Sequence, residues 1–232
     1  CMAIVNGINP YIDRILNEVH KLTERGYIDD EKIKKEKYQY IDELVTTINE
    51  YNDILALWIK MKQGTLSLNI ETFSLNELFE LVGKGRRAFE MKKQTLEIEP
   101  TAVTVKADRA LTLFMINTLA ENARKYTPEG GNIKVYARMT DTYVEISVED
   151  NGRGIAAKDL PAIFDRFFRA DASRNSSKGG SGIGLSIVRK IIEDHGGKIW
   201  ANSKLGCGTV MYFVLRKYQE VPVNEQNTNH RR

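Results

Sequence analysis

The sequence predicts an α+β protein in two parts: an N-terminal antiparallel helical hairpin that dimerises as a four-helix bundle, then an α/β sandwich with a mixed sheet. Three observations predict it. Apolar residues recur at heptad spacing through the first sixty-odd residues. Beyond them, short alternating runs that suit half-buried strands are interleaved with amphipathic helical segments. Two glycine clusters, Asp150-Asn151-Gly152-Arg153-Gly154-Ile155 and Gly180-Ser181-Gly182-Ile183-Gly184-Leu185, lie about thirty residues apart beside strand or helix ends.

The hairpin occupies residues 1–65. Val5, Ile8, Ile12, Ile15, Val19 and Leu22 form one seam, and Ile41, Leu44, Ile48, Tyr51, Leu55 and Trp58 form another. Both have the a/d rhythm of a packed helix pair. The polar stretch from Arg25 to Asp30 is short enough to make the two helices antiparallel. A lone hairpin leaves its seam exposed, so a second copy is expected to complete a bundle. Pro10 bends the first helix or marks a cap and restart. On periodicity alone, a simple coiled-coil dimeriser is an equal reading.

The sandwich occupies residues 66–218. Ser74-Leu75-Asn76-Glu77 reads as a capping box that opens a helix running toward Lys92. Strands are expected at Thr95–Glu99 and Ala102–Lys106, then a helix from Asp108 to Tyr126. Strands at Asn132–Arg138 and Tyr143–Glu149 follow, with a loop at Pro128–Gly131 before them. After Gly184 a helix carries Ile187, Val188, Ile191 and Ile192 on one face and stops at His195-Gly196-Gly197. Strands Lys198–Ala201 and Thr209–Leu215 close the sheet. The polar tail, 219–232, reads as disordered.

Composition excludes several classes. Lys+Arg 34 against Asp+Glu 31 gives a net charge of +3, with no basic block dense enough for nucleic acid. The longest apolar run, Ala110 to Ala120, is too short to cross a bilayer, so no membrane contact is expected of this fragment. Cys1 and Cys207 lack metal-ligand spacing. The chain opens at Cys1 inside a helical pattern and reads as a fragment of something longer.

The glycine clusters suit a nucleotide pocket. Gly152 and Gly154 let backbone approach a flat ring while Asp150 offers a carboxylate to an exocyclic amine. Gly180, Gly182 and Gly184 place bare N–H groups at a helix N-terminus, which favours a phosphate. Asn122 lies on its helix opposite Leu113 and Ala120, so its amide oxygen points into a cleft. Lys125, on the same side, can neutralise a phosphate, and Tyr126 can cover a base.

Four segments in order resemble the catalytic region of a bacterial sensor histidine kinase, of the GHKL (Bergerat) ATPase superfamily. Asn117 to Thr127 resembles the N box, Asp150 to Ile155 the G1 box, Phe164 to Arg169 the F box, and Gly180 to Leu185 the G2 box. Gly206 and Gly208-Thr209 resemble the late glycine-threonine turn that lines the pocket. The resemblance implies ATP and Mg²⁺ as cofactors, with Asn122 as the metal ligand. It makes Asn122, Lys125 and Arg169 the residues acting on the phosphates. Tyr126, Asp150, Gly152, Gly154, Ile155, Phe164, Gly180, Gly182, Ile183, Gly184, Leu185 and Thr209 would line the nucleotide. Residues 170–179 would be a lid. The implied reaction passes the γ-phosphoryl to a histidine on the dimerisation helix and then to a response-regulator aspartate. The implied partners are a second copy, bound through the hairpin, and a receiver domain. The fragment would be the cytoplasmic portion of a protein anchored in the inner or plasma membrane.

Two departures stand out. The asparagine that usually precedes the metal-binding one by a turn is here Thr118, with Asn117 rotated about 100° away. The acceptor histidine belongs roughly one to two helical turns before Cys1, so this fragment is not expected to phosphorylate itself. His20 is followed by Lys21-Leu22 rather than an acid and a later proline, and reads as a solvated helix residue. His195 ends a helix where a cation suits the dipole, and His230 is in the tail. Topoisomerase, mismatch-repair or chaperone ATPases of the superfamily carry a hydrolytic acid where this chain has Thr118. The reading from another class is a degenerate, nucleotide-free scaffold that dimerises and docks partners.

Overall fold

The computed structural model describes residues 67–165, 168 and 184–216, together with scattered positions between 12 and 64. Outside the described residues lie most of the hairpin seam, the 25–30 connection, Arg166, Phe167, Arg169, the 170–179 segment, Gly180, Gly182, Ile183 and the 219–232 tail.

The described domain begins with β1 (Ile70–Ser74), α1 (Leu75–Lys84), α2 (Arg86–Glu90), β2 (Thr95–Ile98) and β3 (Thr104–Asp108). Then come α3 (Arg109–Tyr126), β4 (Asn132–Met139), β5 (Tyr143–Asp150), a short 3-10 turn at Leu160–Ala162, α4 (Gly184–Asp194), β6 (Lys198–Lys204) and β7 (Gly208–Arg216). A five-stranded sheet runs β2-β4-β5-β7-β6, and β1 pairs with β3 in a second, small sheet. β2 lies parallel to β4 and every other pair is antiparallel, so the sheet is mixed as the sequence predicts.

Alternation decides which face is buried. Ile133, Val135, Val144, Ile146, Val148, Phe213 and Leu215 point one way and are buried with Leu75, Leu78 and Phe79 of α1, Met115, Ile116 and Leu119 of α3, and Ile187, Val188, Ile191 and Ile192 of α4. The result is two layers, helices over one sheet face. The described candidate site residues gather where strands β5 and β7 meet the C-terminal end of α3.

Several sequence expectations need correcting. Ser74 stands at the N-cap of α1, but its hydroxyl makes no cap bond. Ser74 also ends β1, and the Leu75 N–H is taken by Val103 O at 2.9 Å. Glu77 turns outward to Arg109 at 3.4 Å instead of completing a capping box. The helix does not reach Lys92; it stops at Lys84, and Gly85 restarts it as the short α2. The strand expected at Ala102–Lys106 starts later, because Thr101 Oγ1 accepts the Val103 N–H (3.2 Å) and bends the chain first. β1 was not expected, since its run Ile-Glu-Thr-Phe-Ser buries only Phe73 well.

α3 itself starts as expected, with Asp108 Oδ1 accepting the Leu111 N–H at 2.9 Å. Its apolar side is wider than one face. Met115, two turns before Asn122 on the same column, is fully buried, while Leu113 is only partly so. The helix lies between the sheet and neighbouring helices, so only its last turns present polar groups to a cleft. His195, at the end of α4, is buried. Its Nε2 accepts the Asp108 N–H at 3.3 Å, so its Nδ1 carries the proton and donates to Ile191 O at 2.8 Å.

Candidate functional site

One wall of the site is the end of β5 against the start of β7. Asp150 and Thr209 are direct cross-strand partners. They share the helix-covered face with Val148 and Met211, two residues away on each strand. Gly152 N–H donates to Asp150 Oδ1 at 2.8 Å. Burial pushes the Asp150 carboxyl above the ordinary carboxylate range, against the lowering effect of backbone N–H bonds from Gly152 and Thr209, with the nearby Glu149 charge adding to the rise. A carboxylate held there at some cost is the kind of group a site keeps for a ligand.

The backbone closes tightly around this carboxylate. A Cβ on Gly152 would stand 2.6 Å from Tyr126 O, so only bare backbone fits. At Gly154, with φ +69°, a Cβ would stand 2.1 Å from Lys204 O. At Gly208, with φ +106°, it would stand 2.0 Å from Asp150 O. The β6–β7 turn is thereby locked against the Gly152–Gly154 loop, and Gly206 N–H donates to Arg153 O at 2.7 Å. Ser203 on β6 completes the lock. Its Oγ accepts the Ile155 N–H (2.8 Å), donates to Gly208 O (2.8 Å) and meets Thr209 Oγ1 (2.8 Å).

The second wall is the C-terminal end of α3. Asn122, Lys125 and Tyr126 are all half-buried there. The Arg153 guanidinium lies 4.4 Å from the centre of the Tyr126 ring, and Lys125 Nζ lies 5.5 Å from it. Arg153 N–H also donates to Tyr126 O at 3.3 Å, tying the two walls together. One turn before Asn122, Thr118 Oγ1 donates to Phe114 O at 2.9 Å, which leaves its lone pairs available. Its methyl faces Gly184, where a Cβ would stand 3.3 Å from it.

The carbonyls that end α3 are taken by side chains from the approach to β2. Lys92 Nζ donates to Arg124 O (2.6 Å), Lys125 O (3.2 Å) and Thr127 O (2.8 Å). Gln94 Nε2 donates to Arg124 O (2.9 Å) and Thr127 O (2.7 Å). A cation at a helix C-terminus suits both the orphan carbonyls and the dipole.

The structure therefore brings together Asp150, Gly152, Gly154, Ile155 and Thr209 with the α3 end that carries Asn122, Lys125 and Tyr126. Gly184 joins them through Thr118. Leu185 and Phe164 pack against the core nearby in sequence to their boxes. Arg169, Gly180, Gly182 and Ile183 lie outside the described residues. Sequence reasoning missed Lys92, Gln94 and Ser203, and gave Arg153 no role. Arg153 alone had a local signal, as the one cation between two pocket glycines. Among the described residues no three His, Cys, Asp or Glu side chains gather as a metal cage.

Residues 107–219 match the family described as histidine kinase-, DNA gyrase B-, and HSP90-like ATPase. The catalytic domain of the histidine kinase ThkA is 33% identical and superposes with a TM-score of 0.56, covering 64% of this chain and 96% of that domain. The chain belongs to this ATPase family. The sensor histidine kinase WalK of Bacillus subtilis is 38% identical over 176 residues, 73% of this chain and 28% of WalK. The signal transduction histidine-protein kinase BaeS of Escherichia coli is 33% identical over 159 residues, 68% of this chain and 34% of BaeS. The chain thus spans about a third or less of WalK and BaeS. The solved chain of the Acinetobacter baumannii histidine kinase AdeS, 20% identical with a TM-score of 0.66 over 90% of this chain and 96% of that chain, shares the fold. The domain is a two-component histidine kinase catalytic domain. No helix among the described residues is long and apolar enough to cross a membrane.

Proposed function

We propose that this chain is the ATP-binding core of a sensor histidine kinase that transfers the γ-phosphoryl of Mg-ATP to a histidine on a dimerisation helix, and from there to a response-regulator aspartate. The observation that carries the reading is the pair of walls: a half-buried carboxylate on glycine backbone, tied by hydrogen bonds to a helix end bearing an amide, an amine and an aromatic ring. Asp150 accepts from the adenine amino group, and Tyr126 covers the base beside Arg153. Lys125 neutralises phosphate, with Arg169 added from the segment after the F box.

The donor set suits Mg²⁺. With no carboxylate cage among the described residues, a single neutral amide oxygen from Asn122 leaves the remaining positions to phosphate oxygens and water, which a hard, reluctantly dehydrated ion prefers. Bound there, the ion would offset phosphate charge. The chain's own part is positioning and electrostatics, which dominate phosphoryl transfer.

The hairpin of residues 1–65 is the proposed dimer interface, the nucleotide domain runs from 66 to 218, and the acceptor histidine is proposed to precede Cys1. Full-length, the protein is proposed to sit in the membrane with this portion in the cytoplasm. A receiver-domain partner is supported by the ThkA histidine kinase, solved in complex with the response regulator TrrA. The matched chain of that complex is 27% identical to this one with a TM-score of 0.62, and the match covers 93% of this chain and 60% of that chain.

The test is calorimetric titration with the non-hydrolysable β,γ-imido analogue of ATP plus Mg²⁺, on the wild type and Asp150→Asn. Saturable binding that weakens sharply in the variant is expected. An intact chain that binds no nucleotide would hand the reading to the scaffold alternative, with Thr118 marking a dead site.

A further inference from the structure

Asp150, Thr209 and Ser203 stand in one row across three strands: Asp150 opposes Thr209 on β7, and Thr209 opposes Ser203 on β6. Hydroxyl protons in such a row are usually free to turn. Here counting donors and acceptors fixes them. A serine hydroxyl has one proton and two lone pairs. The contact with Gly208 O uses the Ser203 proton, because a carbonyl only accepts. The contact with Ile155 N–H uses one lone pair. The remaining contact, 2.8 Å to Thr209 Oγ1, then has Thr209 as donor and Ser203 as acceptor.

The consequence falls on Thr209. Its only hydroxyl proton is spent on Ser203, so toward anything else in the pocket Thr209 Oγ1 is an acceptor. Its direct partner Asp150 is an acceptor as well when ionised. We infer that Ser203 is a specificity-positioning residue: by holding the Thr209 proton, it makes the Asp150–Thr209 pair accept hydrogen bonds only, selecting a nucleotide base with an exocyclic amine over one with a keto oxygen at the same place. An amine brings two N–H donors for two acceptors. A keto oxygen brings none, and meets two oxygens with no proton between them. Mismatches of this kind, which leave buried polar groups unpaired, discriminate strongly. Ser203 never touches the base and acts through Thr209. The inference rests on the adenine-nucleotide reading and deepens it.

Losing Ser203 frees the Thr209 hydroxyl to rotate and donate. In Ser203→Ala the preference for the amine base should narrow by roughly three- to tenfold, the worth of one ordinary hydrogen bond. The experiment is titration of wild type, Ser203→Ala and Ser203→Thr with the β,γ-imido triphosphates of adenosine and of inosine, all with Mg²⁺. The wild type should favour the adenosine analogue, Ser203→Ala should lose part of that preference, and Ser203→Thr, which keeps the hydroxyl, should recover it. If Ser203→Ala weakens both analogues equally, Ser203 only holds the turn and the inference is overturned. A wild type that binds neither analogue overturns the adenine-nucleotide reading itself, and the inference with it. Should Ser203→Ala fail to fold, Thr209→Val tests the same point: it should lose affinity for the adenosine analogue and little for the inosine one, and equal losses would overturn the inference.

Discussion

The two walls of the site are held by different physics. The strand wall is closed by backbone against backbone: positions 154 and 208 have no room for a Cβ, and the turn between β6 and β7 is pinned to the loop after β5. The helix wall is held by the ends of long side chains, with Lys92 and Gln94 sharing the orphan carbonyls of α3. Backbone closure tolerates no substitution but needs no partner elsewhere. Side-chain closure can be loosened in steps. The difference teaches that the strand wall is fixed by shape, whereas the helix wall carrying Asn122, Lys125 and Tyr126 is fixed by charge and hydrogen bonding.

The sharpest break belongs to the strand wall. Gly208→Ala must move the Asp150 carbonyl or abandon φ +106°, and Asp150 is the residue the pocket depends on. A loss of more than about 3 kcal/mol in denaturant unfolding is expected, from left-handed strain together with the backbone collision. Nucleotide binding should vanish with it.

Next comes Asp150→Asn. Removing a charged acceptor should weaken the ATP analogue by about ten- to a hundredfold. The pH dependence adds a sign. Burial raises the Asp150 pKa in the folded chain above its unfolded value, so folding favours the protonated form. The penalty on stability is therefore fully present above the folded pKa. It is relieved as pH falls through that value toward the ordinary carboxylate range. Nucleotide affinity should move the opposite way, falling over the same window as the acceptor gains a proton. Thermal unfolding and calorimetry of wild type against Asp150→Asn, in steps from neutral to acid pH, should show the two trends crossing; parallel trends would mean that Asp150 is not the acceptor.

On the helix wall, Lys92→Met keeps the apolar stem and removes the donor. Gln94 still serves Arg124 O and Thr127 O, so Lys125 O loses most. The expected cost is about 1–3 kcal/mol for an under-satisfied helix end. A weaker grip on the ATP analogue, roughly threefold, should accompany it, since the same turn carries Lys125 and Tyr126. Lys92→Arg should restore most of the stability, and an unchanged melting temperature in Lys92→Met would show that water caps the helix as well.

The two walls were unequally legible in the sequence. Gly152, Gly154 and Asp150 could be read because a tight backbone approach demands glycine and announces itself locally. The elements around them were legible too, since Asp108 and the alternation in β4, β5 and β7 are local patterns. Lys92 was not, because its partners lie 32–35 residues away and a lysine near a strand start has no distinguishing signal. Ser203 was hidden for the same reason: its hydroxyl joins three segments that only the sheet order brings together. The capping box at Ser74 failed in the reverse direction. The local pattern was present, but the Ser74 hydroxyl makes no cap bond and the Leu75 N–H goes to Val103 O.

The mildest test lies two residues from the harshest. Gly206 also has a positive φ, +80°, yet nothing stands within 4 Å of where its Cβ would go. Its N–H, which donates to Arg153 O, survives replacement by alanine. Gly206→Ala should therefore cost only the left-handed conformational penalty, about 1 kcal/mol in denaturant unfolding. Binding of the ATP analogue should stay within error of the wild type, because neither Asp150 nor Thr209 need move. Comparing Gly206→Ala with Gly208→Ala separates the strain of a backbone angle from the exclusion of a side chain. If the two variants lost binding equally, the strand wall would owe its rigidity to the turn as a whole, and the single close contact at Gly208 would have no special place in the pocket.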